Sequence, residues 1–317
     1  MAFLALKSVE EWAARFADER RTAVTIGTFD GLHLGHQKIL QLVCERARTA
    51  GYRAAVITFD PHPMRVLQPE RAPLLIQTLA QRLGGFEQMG MDAALVLRFD
   101  RALSLVSASE FIERILVRRL RAGAVLVGEN FRFGHRGAGD VRLLEERGRS
   151  DGFEVEIVPP VEIAGQMVSS TVIRGAVGSG DVARAVPMLG RAFSLTGEIH
   201  PGAGRGRTIL FPTLNLAPEQ ELLPKLGVYA TESVVGGKRY SSVTNVGTRP
   251  TFNGSGITVE SHLFGFGETL SSGAMAVSFH ARVRDERKFS GVDALRAQIA
   301  SDIEAAKKFF SDRIFTR

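Results

Sequence analysis

The feature that most constrains this chain is a change of rhythm past its middle. Up to about Gly180, short apolar runs alternate with segments of helical period; beyond Pro187, strand-like runs succeed one another. Ala23–Gly27, Ala54–Phe59, Ala93–Arg98, Ala124–Gly128 and Val155–Val158 are brief and apolar, and read as buried strands. Between them, Gly35–Ala50 sets Ile39, Leu40, Val43 and Ala47 at helical spacing, with Gly51 placed to end the helix. Ser107-Ala-Ser-Glu110 is a capping box that opens a helix carrying Phe111, Ile112, Ile115 and Leu116. Strand and helix in alternation predict an α/β half, a Rossmann-like parallel sheet with helices on both faces.

The second half reads differently. Phe193–His200, Val228–Val235, Lys238–Gly247, Val259–Phe266 and Ala274–Asp285 have strand character, and Gly236-Gly237 lies between two of them as a hairpin turn. The chain closes with a helix whose apolar face is Val292, Leu295, Ile299, Ile303, Ala306 and Phe310. Antiparallel strands and one helix predict a small β-barrel with a terminal helix. Pro187 is expected to interrupt the helical segment before it, which places the domains at 1–186 and 187–317. A length of 317 residues suits two domains of ordinary size.

Composition excludes some classes and leaves others open. Hydrophobic residues at 44% and charged residues at 23% exclude a disordered or fibrous chain. The net charge of +6 rests on 33 arginines against seven lysines, interleaved with acidic residues. Such a pattern suits nucleic acid, phosphate-bearing substrates or simply solvated faces, and charge alone does not choose. Cys44 is the single cysteine, so no intramolecular disulfide forms. Met1–Leu6 is too short for a signal peptide, and no run reaches membrane-spanning length. The expectation is a cytoplasmic protein with neither membrane nor nucleic acid as partner.

The first chemical signal is Gly27-Thr-Phe-Asp-Gly-Leu-His-Leu-Gly-His36, between a buried strand and a helix. Free backbone N–H groups and the helix dipole favour anions there, and Gly35 permits close approach of the chain to a phosphate. His33 and His36 would stabilise charge developing on that phosphate. Two ordinary loop histidines or a metal pair are the competing readings; position favours a nucleotide. With Thr58-Phe-Asp-Pro-His-Pro63, Val127-Gly-Glu-Asn-Phe-Arg-Phe-Gly134 and Ser169-Ser-Thr-Val-Ile-Arg174, this segment resembles the bacterial bifunctional riboflavin kinase/FAD synthetases.

The resemblance spans nearly the whole chain and implies its chemistry. The first half would be a nucleotidyltransferase domain that adenylylates FMN to FAD with release of pyrophosphate. His33 and His36 would hold ATP phosphates, within a site formed by Gly27, Thr28, Phe29, Asp30, Gly35, Asp60 and His62. Asn130 would contact FMN phosphate or ATP, with Phe131 and Phe133 shaping flavin or nucleotide contacts; core packing is the alternative for each phenylalanine. Ser169, Ser170, Thr171 and Arg174 would clamp the pyrophosphate, Arg174 neutralising developing charge. Thr28 stands where the family commonly has Asn.

The second half carries Pro201-Gly-Ala-Gly-Arg-Gly-Arg-Thr208 and Leu210-Phe-Pro-Thr-Leu-Asn215. A glycine-rich loop alone is a weak phosphate signal. The resemblance extends to Gly227-Val-Tyr229, Thr244-Asn-Val-Gly-Thr-Arg-Pro-Thr251 and Val259-Glu-Ser-His262 and implies a riboflavin kinase. Gly202, Gly204, Arg205, Gly206, Arg207, Pro212, Tyr229, Asn245 and Arg284 would bind ATP or riboflavin. Thr213 and Asn215 would hold Mg2+, and Glu260 would take the proton of the riboflavin hydroxyl. Arg282, Arg284 and Arg287 form either a flap against phosphate or an exposed basic edge. Leu210 replaces a customary Gly, and the Tyr-Gly pair usual after Phe266 is missing. These departures motivate an alternative, an FMN adenylyltransferase whose barrel is a flavin-binding module with weak or absent kinase activity. A nucleic-acid-binding regulator that senses flavin is a third reading. Riboflavin, FMN and ATP are thus the implied partners, with transient self-association.

Overall fold

The computed structural model describes residues 2–201, 211–251, 254–268 and 270–314, which fall into two compact units, Met1–Ser169 and Ser170–Arg317. The first contains β1 (Leu4–Leu6), α1 (Val9–Arg15), β2 (Thr22–Ile26), α2 (Leu34–Ala50), β3 (Arg53–Asp60), α3 (Pro63–Leu67), α4 (Leu79–Gln88), β4 (Ala93–Arg98), α5 (Arg101–Ser104), α6 (Ala108–Phe111), β5 (Ala122–Gly128), α7 (Val141–Asp151) and β6 (Glu154–Val158). A short hairpin, β7 (Glu162–Ile163) with β8 (Gln166–Met167), follows. The main sheet is parallel throughout, in the order β1-β4-β3-β2-β5-β6.

The central apolar runs expected as strands are strands because both of their faces are covered, whereas the edge strand β6 is only partly buried. Val24, Ile26, Ile57, Leu95, Val125 and Val127 pack on one side with Trp12, Ile112, Leu116 and Leu144. Ala23, Val56, Val96 and Leu126 pack on the other with Leu40, Val43, Ala47 and Phe86 of α2 and α4. Fully burying one such leucine contributes about 2 kcal/mol. The Ser107 capping box forms, although its helix continues from α6 into a π-helical turn over Ile112–Val117. β2 lies at the centre, and chain order reverses across it. Strands β3 and β4 are added on one side, then β5 on the other. Open sheets of this kind bind ligands at the carboxyl ends of strands flanking such a reversal.

The second unit begins with α8 (Ser170–Ser179) and α9 (Val182–Leu189) and continues through β9 (Phe193–His200), β10 (Leu214–Pro218), β11 (Gly227–Val235), β12 (Lys238–Thr251), β13 (Gly254–Leu263), β14 (Ala274–Asp285) and α10 (Val292–Ile314). Among the described residues the strands close a six-stranded antiparallel barrel, ordered β10-β13-β12-β11-β14-β9. Gly236 and Gly237 make the hairpin turn with φ of 56° and 75°, a left-handed pair that suits glycine. Its interior is partly polar. Ser233, Ser242, Thr231, Thr244 and Ser261 are fully buried and linked hydroxyl to hydroxyl at 2.7–2.9 Å.

Two expectations need correction. Pro187 does not interrupt its helix: α9 runs through it and ends at Gly190, φ 68°. Only the bond to the carbonyl four residues earlier is forfeited, while Val182, Ala185, Met188 and Leu189 bury one face. The compact units divide at 169/170, and α9 packs on β14 and β9 of the barrel. On α10, Ile303 and Ala306 are buried with Ile299 and Phe310 beside them, yet Val292 at its first position is exposed.

Candidate functional site

The loop after β2 is held in a conformation that ordinary residues avoid. Phe29 and Leu32 have φ of 51° and 41°, and such left-handed residues cost on the order of 1 kcal/mol each. Burial of both side chains and an edge-to-face contact of Phe29 with Phe86 hold them there. Gly31, φ 89°, has no room for a side chain: a Cβ would lie 2.9 Å from Ile76. The Asp30 carboxylate is buried and accepts from the N–H groups of Ile76 and Gln77 at 3.0 and 3.1 Å, pinning the loop to the segment ahead of α4.

At the end of this loop the two histidines meet. His33 caps α2, its Nδ1 accepting from the His36 N–H at 3.3 Å, and the rings stack with centroids 3.6 Å apart. Because Nδ1 is an acceptor, neutral His33 carries its proton on Nε2. A Cβ at Gly35 would press on the His33 ring at 3.2 Å, so glycine makes room for the imidazole. Phe29 lies edge-on to His36 at 5.1 Å. The Nδ1 of His36 is buried with no hydrogen-bond partner among the described residues, and burial, reinforced by His33, holds His36 well below the ordinary histidine range. His36 is therefore neutral near pH 7. With its folded value lowered, the unfolded chain takes up the proton first as pH falls through the ordinary range, and stability is lost there. The melting temperature of the first unit is expected to fall on acidification, and less steeply in His36→Gln; parallel slopes in calorimetry would contradict this.

The end of β3 lies beside this loop. Gly27 N–H donates to the Ile57 carbonyl at 3.0 Å, and the strand end carries Thr58 and Asp60. Thr58 is buried and donates to the Thr28 carbonyl at 3.3 Å, while Asp60 is exposed. His62 caps α3, accepting from Met64 N–H. Asn130 stands exposed in the turn after β5, and Phe131 stacks on Phe133 at 5.3 Å. Phe29 and Phe133 belong to the buried core. Ser169 ends the first unit, whereas Ser170, Thr171 and Arg174 begin α8 in the second. Reasoning from sequence missed Arg82, which is buried and donates to the Thr28 carbonyl at 2.7 Å. The available signal was a cation on the apolar stripe Leu79, Leu83, Phe86 of α4.

In the barrel, strand register assembles three of the expected kinase residues. Asn215 on β10 pairs with Glu260 on β13, which pairs in turn with Asn245 on β12. Directly paired residues share a face, so the three side chains form one row outside the hydroxyl-lined interior. The Asn215 Oδ1 is buried and lacks a partner among the described residues, and Thr213 lies two residues before it. His262, two residues after Glu260, donates from Nδ1 to the Pro212 carbonyl at 2.8 Å and tethers the Phe211–Thr213 segment to β13.

Other expected residues are placed elsewhere. Tyr229 is fully buried inside the barrel against Phe279, its hydroxyl donating to the Lys225 carbonyl and its acidity weakened by burial to about 12. It faces away from the Asn215–Glu260–Asn245 row. Arg284 continues that row through Val228, but its guanidinium is bound bidentately by Asp302 of α10 at 2.9 and 2.7 Å. Arg282 donates to the Leu226 carbonyl at 2.6 Å, and Arg287 reaches Gln298. All three arginines make protein contacts, and Arg287 is also exposed. Gly202, Gly204, Arg205, Gly206, Arg207 and Leu210 lie outside the described residues.

Known proteins resemble this chain along nearly its whole length. A family model described as FAD synthetase matches residues 15–172, and one described as riboflavin kinase matches residues 189–310. Proteins named bifunctional riboflavin kinase/FMN adenylyltransferase are similar: that of Escherichia coli (strain K12) is 35% identical over 93% of this chain and 94% of its own length. That of Pseudomonas fluorescens is 36% identical over 92% and 93%, and that of Bacillus subtilis (strain 168) 32% over 93% and 94%. A crystal structure titled as a macrolide-efflux protein from Streptococcus pneumoniae aligns with a TM-score of 0.87 at 29% identity, covering 97% of this chain and 99% of that one. Among the described residues no helix is long and apolar enough to cross a membrane. Family models matching residues 15–172 and 189–310, and relatives at least 35% identical over more than nine-tenths of its length, place the chain in the bifunctional riboflavin kinase/FMN adenylyltransferase family.

Proposed function

We propose that the two activities of this bifunctional enzyme are divided between residues 1–186, which adenylylate FMN, and residues 187–317, which phosphorylate riboflavin. The observation that carries the division is that the motifs after β2 and at the end of β3 lie side by side in the first sheet, while the Asn215–Glu260–Asn245 row forms in the barrel. A flavin-binding module without kinase turnover is disfavoured by the riboflavin kinase match over residues 189–310.

In the first reaction an FMN phosphate oxygen attacks the α-phosphorus of ATP, the bond to the β-phosphate oxygen breaks, and pyrophosphate leaves. His33 offers its Nε2 proton and His36 a desolvated ring to the triphosphate, so charge gathering on its oxygens meets donors already oriented. Ser170, Thr171 and Arg174 are assigned to the pyrophosphate by their motif. In the second reaction the riboflavin hydroxyl attacks the γ-phosphorus, its proton passes to the Glu260 carboxylate, and ADP leaves.

Magnesium fits the barrel site. Asn215 presents a buried, unpartnered amide oxygen and Thr213 a hydroxyl, the hard donors that this ion takes. When bound it neutralises phosphate charge; the protein groups orient the reactants. The setting that suits this chemistry is the cytoplasm, with transient self-association. The test is a time course with riboflavin, ATP and magnesium, beside one started from FMN. FMN should appear and give way to FAD, and excess chelator should abolish both products. FAD from FMN but none from riboflavin would remove the kinase assignment.

A further inference from the structure

A charge lies beneath the Thr28–His36 loop that the two reactions as described do not use. Arg82 is only 3% exposed. Its Nη1 donates to the Thr28 carbonyl at 2.7 Å and to the Thr58 hydroxyl at 3.2 Å, both neutral acceptors. Its Nε has no partner among the described residues. Taking a guanidinium out of water is costly unless an opposite charge meets it closely. Asp30 and Asp60 favour its charge through space while burial opposes it. The Asp30 carboxylate is also engaged by the N–H groups of Ile76 and Gln77. Leucine at this position of α4 would extend the stripe of Leu79, Leu83 and Phe86 without that electrostatic cost.

A cation held on neutral partners leaves positive potential at the loop it supports, and a polyanion bound in front of that loop offsets the desolvation. We propose that Arg82 is the fixed positive pole of the nucleotide site, a positioning residue that ties the Thr28 turn to β3 and whose charge favours the ATP triphosphate. The inference rests on reading the Thr28–His36 loop as the ATP-phosphate site.

The loop's backbone makes two separable demands on residue 82. It needs a donor for the Thr28 carbonyl, which Lys and Gln both supply, and it gains from a positive charge, which only Lys retains. Charge and hydrogen bonding can therefore be told apart in the full-length enzyme. Initial rates of FAD formation from supplied FMN, with ATP varied, isolate this site, because FMN is not a substrate of the kinase reaction.

Arg82→Gln should raise the KM for ATP about tenfold with a smaller change in kcat, while Arg82→Lys stays within about threefold of the parent. FMN formation from riboflavin and the calorimetric melting of each variant report folding in the same samples. A KM for ATP in Arg82→Gln within about twofold of the parent would overturn the proposal. So would equal losses in the Lys and Gln variants accompanied by equal drops in melting temperature, because that outcome assigns Arg82 to packing alone. Failure of the underlying reading looks different: His36→Ala would then leave both KM for ATP and kcat unchanged, whatever Arg82 does.

Discussion

His36→Ala is expected to lower FAD formation from supplied FMN by about a hundredfold or more, close to 3 kcal/mol of transition-state stabilisation. The size follows from the site. His36 is stacked on His33, edge-on to Phe29 and largely desolvated, so its contribution is not diluted by water. Removing the ring also leaves His33 without its stacking partner, and the loop loses one wall. FMN formation from riboflavin should be unaffected under the proposed division of the two activities. Product separation after incubation with FMN, and separately with riboflavin, measures both. Undiminished FAD synthesis would end the assignment of this loop to the adenylyl transfer.

Glu260→Ala should do the reverse. A carboxylate between two asparagines on paired strands is placed to take a proton from an acceptor hydroxyl. Its loss is expected to slow FMN formation by about a hundredfold or more and to spare FAD formation from supplied FMN. Glu260→Gln keeps the size and hydrogen bonding of the side chain while removing the base, so a comparable loss in that variant points to proton transfer. Equal loss of both activities in Glu260→Ala would argue against separate sites.

Much of this architecture was legible because the sheet of the first unit is buried on both faces. Continuous apolar runs such as Val24–Ile26 and Val125–Val127 then have one reading, and the glycine-bearing loop after β2 stands out against them. β1 was not legible, since three residues carry no period. β10 was hidden inside a motif read for its chemistry, with Pro212 and Thr213 obscuring the strand that follows. The inward orientation of Tyr229 could not be read either. β11 is covered by the barrel interior on one face and by α10 on the other, so nearly every residue is buried and alternation says nothing about direction. The partners of Asp30 and Arg284 were not legible for a related reason. Sequence shows a charged residue inside a motif but not the backbone amides or the Asp302 carboxylate that already engage it.

The chain of hydroxyls through the barrel interior has a consequence for how this half of the enzyme changes over generations. Ser233, Ser242, Thr231, Thr244 and Ser261 each serve as a neighbour's partner. Exchanging Ser242 or Thr244 for an aliphatic residue strands the buried hydroxyl of Ser233 or Ser261 next to it, whereas exchanging adjacent members together need not. Substitutions here are therefore epistatic: a route from this polar interior to an oily one passes through intermediates less fit than either end. The strands that carry Asn245 and Glu260 are thereby shielded from gradual drift, even though none of the five hydroxyls reaches solvent.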